Sequence, residues 1–159
     1  MKLFIVTGCS GSGKSTLAKE LAKKIHDFDV LDFDDLGVPS DLTSFQQWME
    51  WRIERTNILL DSMIRQTIIC GSIMPYEFFR FNNRQSLEVR IALLTLTPSE
   101  ITHRLVLRQW DEDLINSNIR LTSHLNWEIT RELNGIKIDT EDNSIEESAV
   151  KLINWIKGD

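Results

Sequence analysis

Gly8-Cys9-Ser10-Gly11-Ser12-Gly13-Lys14-Ser15-Thr16 fits the spacing G-x-x-x-x-G-K-[ST] at every fixed position. Those residue types are what a chain of phosphates requires. Glycines at 8, 11 and 13 allow backbone conformations closed to other residues, so successive N–H groups can converge on an anion. Lys14 is expected to pair with the β- and γ-phosphates and the Ser15 hydroxyl to ligate magnesium. The predicted nucleotide-binding set is Gly8, Ser10, Gly11, Ser12, Gly13, Lys14, Ser15 and Thr16. Cys9 stands at a variable position and reads as a small filler.

Further charged residues stand where they could act on the phosphates. Asp32 and Asp34 close an apolar run, and alternation along an extended chain would set both on one side. Paired carboxylates call for a cation or a shared proton, so one is expected to support magnesium and the other to accept a proton from an attacking hydroxyl. The plainer alternative is a solvated acidic turn. Arg104 and Arg108 are four residues apart in a helical pattern and would share a face, suited to closing over a transferring phosphate or to an ordinary surface pair. Arg52 and Arg55, in a longer helix, either reach an anionic acceptor or solvate a surface. His26, His103 and His124 are scattered without metal or triad spacing.

Alternating strands and helices must position these groups. Lys2–Thr7 reads as a buried strand, followed by a helix with Leu17, Ala18, Leu21, Ala22 and Ile25 on one stripe. A second strand spans Phe28–Phe33 and a turn residues 37–41. Thr43 with Gln46 would open a helix through about Ile64, burying Trp48, Trp51, Ile58, Leu59 and Met63. Thr67–Gly71 is a third strand with no acidic residue at its end, which favours Asp32 in the metal role. The loop Gly71-Ser72-Ile73-Met74-Pro75 then lies beside the acceptor, and Glu77–Gln85 is a short helix carrying Arg80 and Arg84. A fourth strand lies within Glu88–Leu96. Thr97-Pro98-Ser99-Glu100 starts the helix with Ile101 and Leu105, and Asp111-Glu112-Asp113 opens the next, with Leu121, Leu125, Ile129 and Leu133. Asn134-Gly135 ends it, Ile136–Asp139 is a fifth strand, and Ser144 with Glu147 caps a last helix. The 140–143 loop is where an adenine base could rest.

The 159 residues suit one domain, 1–159, with 42% hydrophobic and 26% charged residues in a globular rather than disordered balance. A net charge of −6 disfavours nucleic acid as a partner. No leader or membrane-length apolar stretch is apparent, and two cysteines without metal or disulfide spacing fit a reducing interior, so a cytoplasmic protein with no membrane partner is expected.

The chain resembles the small P-loop kinases, the group of adenylate, shikimate and gluconate kinases, and is similar above all to small members known only as P-loop ATPases or kinases. The resemblance implies an α/β three-layer fold: a five-stranded parallel sheet in the order 2-3-1-4-5, helices on both faces and a short, mobile lid. It makes Gly8–Thr16 the phosphate loop, and Asp32 and Asp34 the D-x-D whose first carboxylate supports magnesium and whose second contacts the acceptor hydroxyl. Trp51-Arg52 resembles an aromatic–arginine pair that anchors an acceptor anion, and Arg104 and Arg108 the R-x-x-x-R opening the lid. Gly71, with Ser72 and Ile73, replaces the glycine-rich turn of shikimate kinases.

The implied activity is transfer of the γ-phosphoryl of Mg-ATP to a hydroxyl or phosphate of a small metabolite, a nucleoside, nucleotide or sugar acid. Lys14, Asp34, Arg104 and Arg108 would be catalytic, Ser15 and Asp32 would hold magnesium, and Asp34, Arg52 and Gly71 would meet the acceptor. The other class of function is an ATP-binding switch or adaptor with slow hydrolysis. The phosphate loop does not read the base, so ATP and GTP are both open, as are monomer and homodimer.

Overall fold

The computed structural model describes residues 1–37, 39, 41, 44–74, 77, 87–132 and 135–158. In chain order these give β1 (Lys2–Thr7), α1 (Lys14–Lys24), β2 (Asp29–Asp32), a 3-10 turn (Phe33–Leu36), α2 (Phe45–Ser62), β3 (Thr67–Cys70) and β4 (Glu88–Thr95). After them come α3 (Pro98–Val106), α4 (Glu112–Glu132), β5 (Ile136–Asp139) and α5 (Ile145–Lys157). The five strands form one sheet in the order β2-β3-β1-β4-β5, and every pairing is parallel. This is the order implied by the resemblance.

β1 sits at the centre because it is apolar on both faces. Phe4 and Val6 pack with Leu17 and Leu21 of α1 and Leu152 and Ile156 of α5. Leu3 and Ile5 face Phe33, Trp51, Leu59 and Leu60 on one part of the opposite layer, and Leu125 and Ile129 of α4 on another. A third cluster, Cys9, Leu96, Ile101, Leu105 and Ile115, lies beneath the connection from α3 to α4. Cys9 is fully buried there, which agrees with the filler role. No helix among the described residues is long and apolar enough to cross a membrane.

Several local expectations shift. The cap of α2 is Ser44, whose hydroxyl accepts from the Gln47 amide; Thr43 lies outside the described residues, as do Val38, Ser40, Pro75, residues 78–86 with Arg80 and Arg84, Leu133 and Asn134. Ile58 is 50% exposed. The buried stripe of α2 instead follows Trp51, Arg52, Thr56, Leu59 and Leu60, and Ile58 falls one residue, or about 100° of helix rotation, off that line. Ala22 is likewise exposed on α1. Ser144 and Glu147 form both halves of a capping box on α5. On α3 only half forms: Thr97 accepts from the Glu100 amide, while its own N–H goes to Glu141 and the Glu100 carboxylate turns to Arg104.

Candidate functional site

The loop leaving β1 takes its shape from glycine. Gly11 and Gly13 adopt positive φ of 81° and 92°, and Gly13 is the residue from which α1 begins. A Cβ at Gly8 would lie 2.8 Å from the Leu94 carbonyl and 2.8 Å from Ser12 Oγ. The loop's carbonyls are taken up by protein donors. Gly8 O accepts from Lys14 Nζ at 3.0 Å and from Ser72 Oγ at 3.2 Å. Cys9 O accepts from Lys14 Nζ at 2.7 Å, Gly11 O from Arg104 Nη1 at 3.1 Å and Ser12 O from Thr140 Oγ1 at 3.0 Å. With these acceptors committed to the protein, the loop's amide N–H groups other than those of Ser10 and Ser12, which donate to Asn118 Oδ1 and the Cys9 carbonyl, are kept for an anion. Ser12 Oγ is buried without a partner among the described residues.

Lys14 is 8% exposed, and two of the ammonium's three N–H bonds are spent on the Gly8 and Cys9 carbonyls. Burial lowers its pKa, opposed electrostatically by Cys9, Asp34 and Asp32. Both aspartates therefore lie within the field of this ammonium, but not by strand alternation. β2 stops at Asp32, whose carboxylate caps the 3-10 turn by accepting from the Asp34 amide at 3.1 Å. The turn carries Asp34 out to an exposed position. Behind them the Cys70 thiol is pushed up to about 12 by burial and by the Asp32 charge.

A cavity of about 310 Å³ gathers Ser10, Gly11, Gly13, Lys14, Ser15 and Thr16 from the loop with Asp34, Ser72, Arg108 and Trp110 around them. Gly8, Ser12 and Asp32 are not part of its lining; they shape or charge it from behind. The expected arginine pair is parted. α3 ends at Val106, so Arg108 belongs to the turn after the helix and shares no helical face with Arg104. Arg108 lines the cavity. Arg104 instead acts as a strut, donating to Glu100 Oε1 at 2.6 Å, Gly11 O at 3.1 Å and Thr140 O at 3.1 Å.

Arg52 and Gly71 also lie outside the lining. Arg52 is 5% exposed; its guanidinium meets both Glu77 carboxylate oxygens at 2.9 and 3.0 Å and the Ser72 carbonyl at 2.8 Å, and lies over the Phe33 and Trp48 rings. It is neither an exposed helix arginine nor a cation facing the cavity. Gly71 serves close packing: a Cβ there would stand 2.6 Å from Phe33 Cβ. Sequence reasoning passed over the individual parts of Ser72, Glu77, Trp110, Asn118 and Thr140. Asn118 accepts the Ser10 amide at 3.0 Å from 108 residues away, and no local pattern marks such a contact.

No group of three or more His, Cys, Asp or Glu side chains arranged for a metal occurs among the described residues. The donors at hand fit magnesium all the same. Ser15 and the Asp32 and Asp34 carboxylates offer hard oxygens, and magnesium typically takes one or two carboxylates and completes its shell with phosphate oxygens and water.

Comparison with known proteins adds the family. A family model described as AAA domain matches residues 5–123. No curated protein sequence matches the chain. Among solved structures, a gluconokinase from Sinorhizobium meliloti superposes with a TM-score of 0.67 at 15% identity, covering 99% of this chain and 94% of that one. A deoxyadenosine kinase from M. mycoides, determined with dCMP and dCDP, gives 0.66 at 14% identity and 99% coverage of both chains. A shikimate kinase from Acinetobacter baumannii in complex with shikimate gives 0.65 at 15% identity, covering 99% of this chain and 93% of that one. At these identities the likeness is one of fold, that of the small P-loop kinases.

Proposed function

Because the chain belongs to the AAA domain family and folds as small P-loop kinases do, we propose that it transfers the γ-phosphoryl group of Mg-ATP to a hydroxyl or phosphate of a small metabolite. Nucleosides, nucleotides and sugar acids are the candidate acceptors. The observation that carries this reading is the shared cavity: the lysine and serine of a phosphate loop meet an exposed carboxylate, Asp34, and a cation from the turn after α3, Arg108, in one space.

The loop amides and the remaining Lys14 N–H bind the β- and γ-phosphates. Ser15 and Asp32 would hold the magnesium ion, which neutralises phosphate charge when bound. Asp34 orients the acceptor hydroxyl and takes its proton as the oxygen attacks the γ-phosphorus and the bond to the β–γ bridging oxygen breaks. Arg108 balances charge spreading over the transferring group. Arg104, assigned the same work on spacing, supports the loop instead. Arg52 and Gly71 bear on the acceptor through Ser72, which Arg52 holds and which follows Gly71 in the chain.

The test is ADP release in a coupled assay with Mg-ATP, across nucleosides, nucleoside monophosphates, sugar acids and other hydroxylated metabolites. One acceptor class should stimulate release and yield a phosphorylated product. Lys14→Ala should lower turnover by on the order of 10²-fold or more without unfolding the protein. Full activity in that variant would overturn the assignment, and tight ATP binding that no acceptor stimulates would favour an ATP-binding switch.

A further inference from the structure

The connection from α3 to α4 is tied to the phosphate loop at both ends. On the α3 side Arg104 donates to the Gly11 carbonyl. On the α4 side Asn118 Oδ1 accepts from the Ser10 amide at 3.0 Å. The Asn118 amide is itself oriented, because Nδ2 donates to the Leu114 carbonyl at 2.9 Å and so leaves the oxygen for Ser10. Two consecutive loop residues, Ser10 and Gly11, thus receive the two feet of one short turn.

The turn between those feet is closed on itself. Leu105 O accepts from the Arg108 and Trp110 amides at 3.0 and 3.1 Å, and Val106 O from the Gln109 amide at 2.9 Å. Gln109 holds a φ of 60°, a left-handed conformation unusual for a residue with a side chain. Trp110 packs on the Cys9, Ile101, Leu105 and Ile115 cluster. Arg108 and Trp110 are the two residues the turn sends to the cavity.

We propose that Asn118 is a positioning residue which, opposite Arg104, straps this turn to the phosphate loop and so holds Arg108 over the cavity before any nucleotide arrives. The lid of this chain is then a fixed strap, where the resemblance implied a mobile one. The role rests on reading the cavity as a nucleotide site, but the strap itself does not.

Hydrogen exchange by mass spectrometry on the nucleotide-free protein tests the strap. Asn118→Ala should speed exchange in the 105–111 segment about tenfold, the factor that one net hydrogen bond supports, with β1 and α5 unchanged. Asn118→Asp keeps an acceptor for the Ser10 amide and should restore protection. Unchanged exchange in the alanine variant, or equal loss in both variants, overturns the proposal. Calorimetric titration with ATP then asks whether Asn118 acts through Arg108: Asn118→Ala should weaken binding in the otherwise native chain and have no effect in an Arg108→Ala background. An equal loss in both backgrounds overturns that role. Failure of the unmodified protein to bind any nucleoside triphosphate overturns the nucleotide reading alone, since the exchange comparison uses no nucleotide.

Discussion

Lys14 is a cation kept where water does not reach it well, and its proton is correspondingly easier to lose. Only the ammonium form pairs with phosphate, so ADP affinity should hold near neutral pH and fall as pH rises through a pKa below the ordinary lysine value. Asp34 pulls that pKa upward; removing its charge in Asp34→Asn therefore moves the alkaline loss of affinity to lower pH, measured as Kd for ADP across the alkaline range. An unmoved limb would mean that Asp34 does not act on Lys14. The lysine was legible in the sequence because the whole loop is local: its spacing carries its geometry. Arg104 and Arg108 were legible as residues but not as a pair. Their spacing promised one helical face, yet the helix stops at Val106, and the left-handed turn residue that follows is Gln109, where glycine would have announced the end.

Between elements, Arg52 and Glu77 form a buried ion pair, each side chain 6% exposed. It fixes α2 to the segment after β3, because Arg52 also holds the Ser72 carbonyl and Glu77 the Met74 amide. Truncating one partner leaves a buried charge unmatched, so Glu77→Ala should cost about 3–5 kcal/mol in denaturant unfolding, whereas Arg52→Met with Glu77→Leu should cost far less. Similar losses in both would show that the charges themselves stabilise the fold. Nothing near Arg52 in sequence pointed to this partner, 25 residues away. The same limit applied to Asp32 and Asp34. Strand alternation predicted their proximity for the wrong reason, since the Asp32 carboxylate, by capping the next turn, ends the strand on which the alternation depends. Helix boundaries set by serine, threonine and proline were readable to within a residue or so, because those signals lie at or next to the first residue of the helix they begin.

At the scale of the whole molecule, a ligand that binds only the folded state stabilises all of it. Mg-ATP at a hundred times its Kd contributes about 2.7 kcal/mol, which raises the thermal midpoint of a chain this size by about 5–10 °C; Lys14→Ala should show almost none of that rise. A rise of the same size in that variant would put the binding elsewhere. The alternation of strands and helices gave the fold class, but the strand order had to come from the resemblance, because apolar parallel strands carry no mark of their neighbours. That order has a consequence for how the chain is made. β1 leaves the ribosome before both of its partners, residues 67–70 on one side and 88–93 on the other. At about 5–20 residues per second, β1 waits on the order of 5–20 s for both edges to be synthesised. Leu3, Phe4, Ile5 and Val6, fully buried once folded, pass that interval unpaired, so this strand needs chaperone cover until both of its edges exist.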